Sequence, residues 1–380
     1  MEKDKYSQDG VNIEAGDVFS SFCGEISRRT YKNSNFVKVT DLSRGNFRGP
    51  RGYRLTNLPE DYLETGAVDG VGTKVVVIAS SGSLRRTAND VIAMTAMDIT
   101  RYGGLPLIFM NILDVNSLGE CGSETFKEFQ GMMVGLGEVA NENNYVVLTG
   151  ETAELGVCVG SENLNAKNIF NWGGVMLGVY HPKKMILGDT LAPGQLIIAL
   201  PDKFRSNGHS TVRKSLAFKY GLRWWENIEA VKDIMECASP SVLYDRMLNF
   251  AHGWFTQDIF EPEIKMHLIV HLSGGAFESK LGSDMLKPLG LSAELDNLFD
   301  PPEIMKKCAE WRGMTPRECY KTWNGGQGAL AVINPEDKKK FLSLAKGFNI
   351  EARVAGKITE KRDYTVAIKS KFGDDEMLFY

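Results

Sequence analysis

Three times along this chain a β-rich apolar run meets glycine beside a side chain able to handle a charged ligand, and this recurrence constrains the fold most. The first instance is Asp69-Gly70-Val71-Gly72-Thr73-Lys74, and the second is Thr149-Gly150-Glu151-Thr152-Ala153-Glu154 after the strand run Tyr145 to Leu148. The third is Leu272-Ser273-Gly274-Gly275 after the strand His267 to His271. Glycine lets the backbone turn and approach a ligand closely. Carboxylate, hydroxyl and ammonium on one turn suit a polyphosphate with magnesium, because Mg²⁺ takes one or two protein carboxylates together with phosphate oxygens. Each turn is equally a tight connection at a strand end. Thr73 between Gly72 and Lys74 breaks the Walker spacing, and the Gly-rich dinucleotide fingerprint is missing after a first strand, which places a nicotinamide enzyme last.

Helical periodicity lies between these runs. Ala88 to Tyr102 carries a stripe through Val91, Met94, Thr95, Ile99 and Tyr102, with Asp98 on or beside it. A carboxylate facing inward must be hydrogen-bonded, paired or metal-bound, so Asp98 either ties down a nearby loop or serves a site. Leu105 to Asp114 reads as a buried strand, Ser123 as the cap of a helix with Phe126, Phe129, Met132 and Leu136 inward, and Trp172 to Tyr180 as a further strand. Alternating elements of this kind predict an α/β or mixed α+β protein.

A length of 380 residues predicts two domains, and the polar exit around Leu187-Gly188-Asp189 sets them at 1–188 and 189–380. In the second, the strand Gln195 to Leu200 precedes Ser206-Asn207-Gly208 and a helix that Ser210 could cap. Its free N–H groups, with Arg213 and Lys214 nearby, suit an anion, while Asn-Gly is also an ordinary turn. Trp224 to Cys237 reads as a helix, Ala329 to Ile333 and Val354 to Thr359 as strands, and the tail after Lys369 as frayed. His271 is either a satisfied core histidine or, beside the glycines, a catalyst.

Tyr6 to Asp17 is polar and glycine-bearing, a mobile terminus or a segment that folds over a ligand. Residues 41–60, with Arg44, Arg48, Arg51 and Arg54, read as a loop that is solvated or ordered around an anion. A net charge of -4 gives no general case for nucleic acid or anionic membrane, and apolar runs such as Leu196 to Leu200 are too short to span a bilayer. The N-terminus lacks an apolar export segment, and the six cysteines form neither a CxxC pair nor a zinc array, so a cytoplasmic protein with reduced thiols is expected.

In order and content these motifs resemble the aminoimidazole ribonucleotide (AIR) synthetase family, the phosphoribosylformylglycinamidine cyclo-ligases of purine biosynthesis. The matching pieces are Tyr6 to Gly16, Asp69 to Lys74, Met97-Asp98-Ile99, Gly150 to Glu154, Ser206 to Ser210 with Val212-Arg213-Lys214, and His271 to Gly275. The resemblance implies a two-domain fold whose N-terminal sheet pairs across a homodimer and whose C-terminal domain holds a mixed sheet. It implies ATP with Mg²⁺, a small ribonucleotide substrate, and ring closure with release of ADP and phosphate. It assigns Asp69, Asp98 and Glu151 to metal and nucleotide, and Gly70, Gly72, Thr73 and Lys74 to phosphate. Ser206, Asn207 and Gly208 would hold a phosphate, with His271 and Gly274-Gly275 near the reacting groups and Lys74 and His271 catalytic. Arg205 stands where the family often has histidine, His209 replaces a tyrosine, Thr149 precedes Gly150-Glu151-Thr152 in place of glycine, and Ala276 replaces a third glycine. The alternatives are a sister enzyme, such as a selenophosphate synthetase, thiamine monophosphate kinase or hydrogenase maturation protein, or a catalytically silent nucleotide-binding paralogue.

Overall fold

The computed structural model describes residues 12–43, 49–163, 165–255, 261–373 and 375–380. It divides into two compact units, Met1–Ala96 with Pro106–Val179 and Met97–Leu105 with Tyr180–Tyr380. The chain thus leaves the first unit at 179, before the predicted boundary of 188, and residues 97–105 belong with the second.

In the first unit, β1 (Val37–Asp41) and β2 (Arg51–Leu55) form an antiparallel hairpin where a loop was expected. Arg44 and Arg48 lie outside the described residues. A four-stranded sheet follows, ordered β3 (Leu63–Gly70), β6 (Phe170–Tyr180), β4 (Leu105–Val115) and β5 (Val146–Glu154). β4 and β5 run parallel, and the crossover that parallel strands need is supplied by the helix Glu124–Asn143. Ser123 caps that helix by accepting from Phe126 N at 3.2 Å, and its buried stripe includes Phe126, Phe129, Met132 and Leu136. Along β6, Phe170, Trp172, Gly174 and Met176 are buried while the residues between them are more exposed, the alternation of a sheet covered on one face. Val68 and Ile112 stay 75% and 56% exposed.

Two local expectations change, at the N-terminal segment and at Thr149-Gly150-Glu151, and the run after Lys74 takes a form its propensity does not favour. Residues from Asn12 onward start the helix Ile13–Thr30, because Asn12 Oδ1 accepts from Ala15 N at 3.0 Å and its own N–H donates to Glu154 Oε2 at 3.0 Å. Residues 6–11 lie outside the described residues. The β-branched run after Lys74 forms the helix Lys74–Ser81, since tertiary burial of Val77 and Ile78 outweighs its strand propensity. Thr149-Gly150-Glu151 lies inside β5 and is no turn, the parallel pairing with β4 continuing through Glu154.

The second unit holds a seven-stranded mixed sheet ordered β13 (Met377–Phe379), β12 (Val366–Lys369), β9 (Leu291–Leu295), β11 (Arg353–Glu360), β7 (Leu196–Pro201), β10 (Gln327–Ile333) and β8 (Met266–His271). Only the β12–β9 pair among these is parallel. β8 and β10 are buried along their whole length, so their apolar runs show no alternation. The tail expected to fray forms β13. Ser210 does not cap: Gly208 occupies the N-cap of the helix His209–Tyr220 at φ +77°, without a side-chain bond. Trp224 to Cys237 resolves into two short 3₁₀ turns and the helix Val231–Cys237.

Gly135 shows how tightly the first unit packs. A Cβ there would lie 1.7 Å from the backbone oxygen of Arg85. Gly135→Ala, which in a free helix would add about 1 kcal/mol, is expected to cost about 1–3 kcal/mol of stability by overpacking, measured by denaturant unfolding.

Candidate functional site

The first group of candidate residues is built where β3 ends. Asp69 Oδ1 accepts from Gly70 N at 2.7 Å, and Val71 N donates to Trp172 O at 3.0 Å, which ties the turn to β6. A Cβ on Gly70 would lie 3.1 Å from that same Trp172 oxygen, and Gly72 has φ +65°. Gly72 and Thr73 are exposed, whereas Lys74 is 0% exposed. Its Nζ donates to Asp90 Oδ1 at 2.7 Å. The ammonium expected at a phosphate is therefore turned inward onto a carboxylate.

Glu151 is exposed on β5 and opens onto a cavity of about 630 Å³, which Asn12, Asp17, Ser20, Arg51 and Asn111 also line. Glu154, three residues on, is committed to structure: it accepts from Asn12 N, from Leu118 N at 2.7 Å and from Ser117 Oγ at 3.2 Å. β3 and β5 are the outer strands of the sheet, so Asp69 and Glu151 are separated by three strand spacings, about 14 Å. Among the described residues, no group of three His, Cys, Asp or Glu side chains stands at metal-ligating spacing. Carboxylate donors match the chemistry of Mg²⁺, which keeps most of its shell for phosphate and water, so each acid fits as a separate contributor.

In the second unit, Asp98 near the end of the helix Thr87–Thr100 stands 3.9 Å from His271 Nδ1 and 3.5 Å from Arg101 Nε. His271 ends β8 and is 1% exposed, with neither ring nitrogen hydrogen-bonded among the described residues. Burial, with the Arg205 and Lys280 charges, pushes its pKa down to about 3 against the pull of Asp98, so the ring is neutral. Burial works to raise the Asp98 carboxyl, yet His271, Arg101 and Lys280 together hold it below the ordinary carboxylate value.

The two glycine turns of this unit meet. Asn207 and Gly274 line one small cleft of about 10 Å³, with Arg205 and Trp323 also in its wall. Gly208 and Gly274 must be glycine here, since a Cβ would lie 2.6 Å from Trp323 Cδ1 and 2.3 Å from Thr322 O respectively. Gly275 adds φ +73°, and Ser206 lies just before Asn207 with its hydroxyl buried. Arg205 is buried with its Nη1 on Asp202 Oδ2 at 2.7 Å. Sequence reasoning missed Asp90, Asp202, Asn111 and Asp245, whose partners are distant in sequence or whose surroundings were unknown. Asp245 is completely buried, and burial raises its carboxyl to about 6 despite Thr100, its own amide and Arg205.

The model of the AIR synthase related protein N-terminal domain matches residues 55–175, and that of the C-terminal domain matches residues 256–369. The chain belongs to the AIR synthase related family. Its relatives include proteins named phosphoribosylformylglycinamidine cyclo-ligase from Prochlorococcus marinus (strain MIT 9301), 27% identical over 95% of this chain and 97% of that one. Another, from Oceanobacillus iheyensis, is 25% identical over 94% and 97% of the two chains. Among solved structures, thiamine-monophosphate kinase from Stenotrophomonas maltophilia superposes with a TM-score of 0.56 at 12% identity, over 93% and 97% of the chains. The hydrogenase maturation protein HypE of E. coli also gives 0.56 at 12% identity, over 96% of each. These two show that the AIR synthase related chain shares their fold.

The neutral imidazole gives a pH signature. In the unfolded chain His271 takes a proton near its ordinary value of 6.5, and in the fold only at about 3. Its stabilising share is complete above 6.5 and is lost as pH falls towards 3. His252, lowered to about 4 by burial, acts in the same sense, while Asp245 acts in reverse, losing stability as pH rises from 3.8 to about 6. Urea midpoints measured from pH 8 to 4 are expected to fall more steeply for the native chain than for His271→Asn. Ring NMR signals of His271 should show no titration midpoint above pH 5.

Proposed function

We propose that this protein is a phosphoribosylformylglycinamidine cyclo-ligase, an ATP-dependent ligase that closes the imidazole ring of formylglycinamidine ribonucleotide and releases ADP and phosphate. The end-to-end similarity to proteins of that name, 95% of this chain against 97% of the relative, carries the reading. The Asp98–His271 pair, a buried imidazole 3.9 Å from a half-buried carboxylate, supports it.

In this reading ATP phosphorylates the formyl oxygen, and an amidine nitrogen then attacks the activated carbon. Phosphoryl transfer asks mainly for positioning and charge neutralisation. Gly70, Gly72 and Thr73 would offer backbone N–H groups and a hydroxyl to phosphate. Ser206, Asn207 and Gly208, with Gly274 and Gly275, would hold a second phosphate-bearing group. Asp69, Asp98 and Glu151 would hold Mg²⁺, which when bound neutralises phosphate charge. His271, held neutral, would stand near the reacting groups as a hydrogen-bonding catalytic residue beside the Asp98 carboxylate. A cytoplasmic homodimer is part of the same proposal, with the exposed Val68 and Ile112 on the sheet face that pairs. A related enzyme with a shifted substrate is the second reading, favoured by Arg205 buried on Asp202 where the family often carries histidine.

The test is phosphate release by the purified protein with ATP, Mg²⁺ and formylglycinamidine ribonucleotide. Release that requires the ribonucleotide and matches aminoimidazole ribonucleotide formation supports the cyclo-ligase, and release with another acceptor moves the reading to the second. Asp98→Asn is expected to lower kcat about 10²-fold or more with the melting temperature held. Val68→Asp with Ile112→Asp is expected to shift the sedimentation profile from dimer towards monomer.

A further inference from the structure

Two fixed points define the turn between β3 and the helix Lys74–Ser81. At one end Val71 N is bonded to Trp172 O at 3.0 Å, and Gly70 lies against that same carbonyl. At the other end Lys74 leaves solvent completely, and its Nζ meets Asp90 Oδ1 at 2.7 Å, the two side chains being 0% and 1% exposed. Between them Gly72 and Thr73 are exposed. For its ammonium to reach a ligand, Lys74 would have to break its 2.7 Å ion pair with the buried Asp90, which is strongly unfavourable.

We infer that Lys74 and Asp90 form a buried strut that positions the Asp69–Thr73 turn, so that Lys74 serves a bound phosphate through the backbone it holds and not through its ammonium. This rests on the proposed function for the identity of the ligand as ATP, while the strut itself rests on the ion pair. Asp90 is thereby a positioning residue of the nucleotide site, one turn into the helix Thr87–Thr100.

The strut and a direct phosphate contact separate in a paired substitution. Lys74→Met removes the cation from the buried ion pair and is expected to lower the melting temperature and weaken ATP binding about tenfold or more. Lys74→Met with Asp90→Val removes both charges, and is expected to recover the melting temperature and bring the ATP Kd, by calorimetry on the full chain, within about threefold of the native value. A double variant that regains its melting temperature but still binds ATP tenfold more weakly would overturn the inference, as would a Lys74→Met protein as stable as the native one. Because a variant can fail to fold, the native protein supplies a second measurement. Acetylation with acetic anhydride, read by peptide mass, is expected to spare Lys74 with and without ATP. Labelling of Lys74 that ATP suppresses would show the ammonium at the ligand and overturn the strut. If the native protein binds no ATP, the cyclo-ligase reading fails, and the strut is judged on the melting temperatures and the labelling.

Discussion

The ion pair of Lys74 and Asp90 governs how the first unit presents its surface. Two opposite charges at almost zero exposure are tolerable only while they touch, so the pair fixes the start of the helix Lys74–Ser81 against the helix Thr87–Thr100. Once that distance is set, the five residues from Asp69 to Thr73 have little freedom. Trp172 holds their first half through its carbonyl, and Gly72 makes the reversal at positive φ. What remains exposed is backbone and a hydroxyl, a surface suited to an anion without a cation on it.

The second unit obtains its chemistry from burial of a different kind. β8 is covered along its whole length, so the histidine that ends it has its charged form penalised by desolvation before any neighbour is counted. Arg205 and Lys280 add to that penalty, and Asp98 at 3.9 Å only partly opposes it. The result is a neutral imidazole facing an ionised carboxylate, with its protonation opposed by its surroundings. Arg205 meanwhile has its own charge met by Asp202 and its guanidinium 5.9 Å from the Tyr244 ring, so its effect on His271 is that of a fixed field.

Much of this was legible in the sequence because it rests on local rules. The 3.6-residue stripe of Phe126, Phe129, Met132 and Leu136 behind Ser123, and the apolar runs of β4, β8 and β10, have the periods their surroundings demand. The illegible parts depend on long-range partners. Val75 to Ile78 is β-branched, and its helical form is set by the packing that buries Val77 and Ile78. Thr149-Gly150-Glu151 looks like a turn until its pairing with Met110, Asn111 and Ile112 is seen. The ion pair of Lys74 is invisible in the sequence because its partner Asp90 lies sixteen residues away on another helix. Glu154 anchors the start of the N-terminal helix through Asn12, a contact across the chain that no local pattern announces. In each case the local sequence allows more than one arrangement, and the tertiary partner decides between them.

The same dependence links the two glycine turns of the second unit, which the sequence presents as separate motifs sixty-odd residues apart. Gly208 packs against Trp323 and Gly274 against the carbonyl of Thr322, adjacent residues at the end of the helix Pro316–Thr322. Trp323 Nε1 also donates to Gly208 O at 3.3 Å, so the indole holds one turn by a hydrogen bond while the neighbouring carbonyl limits the approach of the other. Neither turn can shift without moving that segment, and a displacement of either is carried to the cleft that Asn207 and Gly274 line together. The requirement for glycine at both positions is therefore one constraint. It comes from a single helix end and sets the spacing between the two turns.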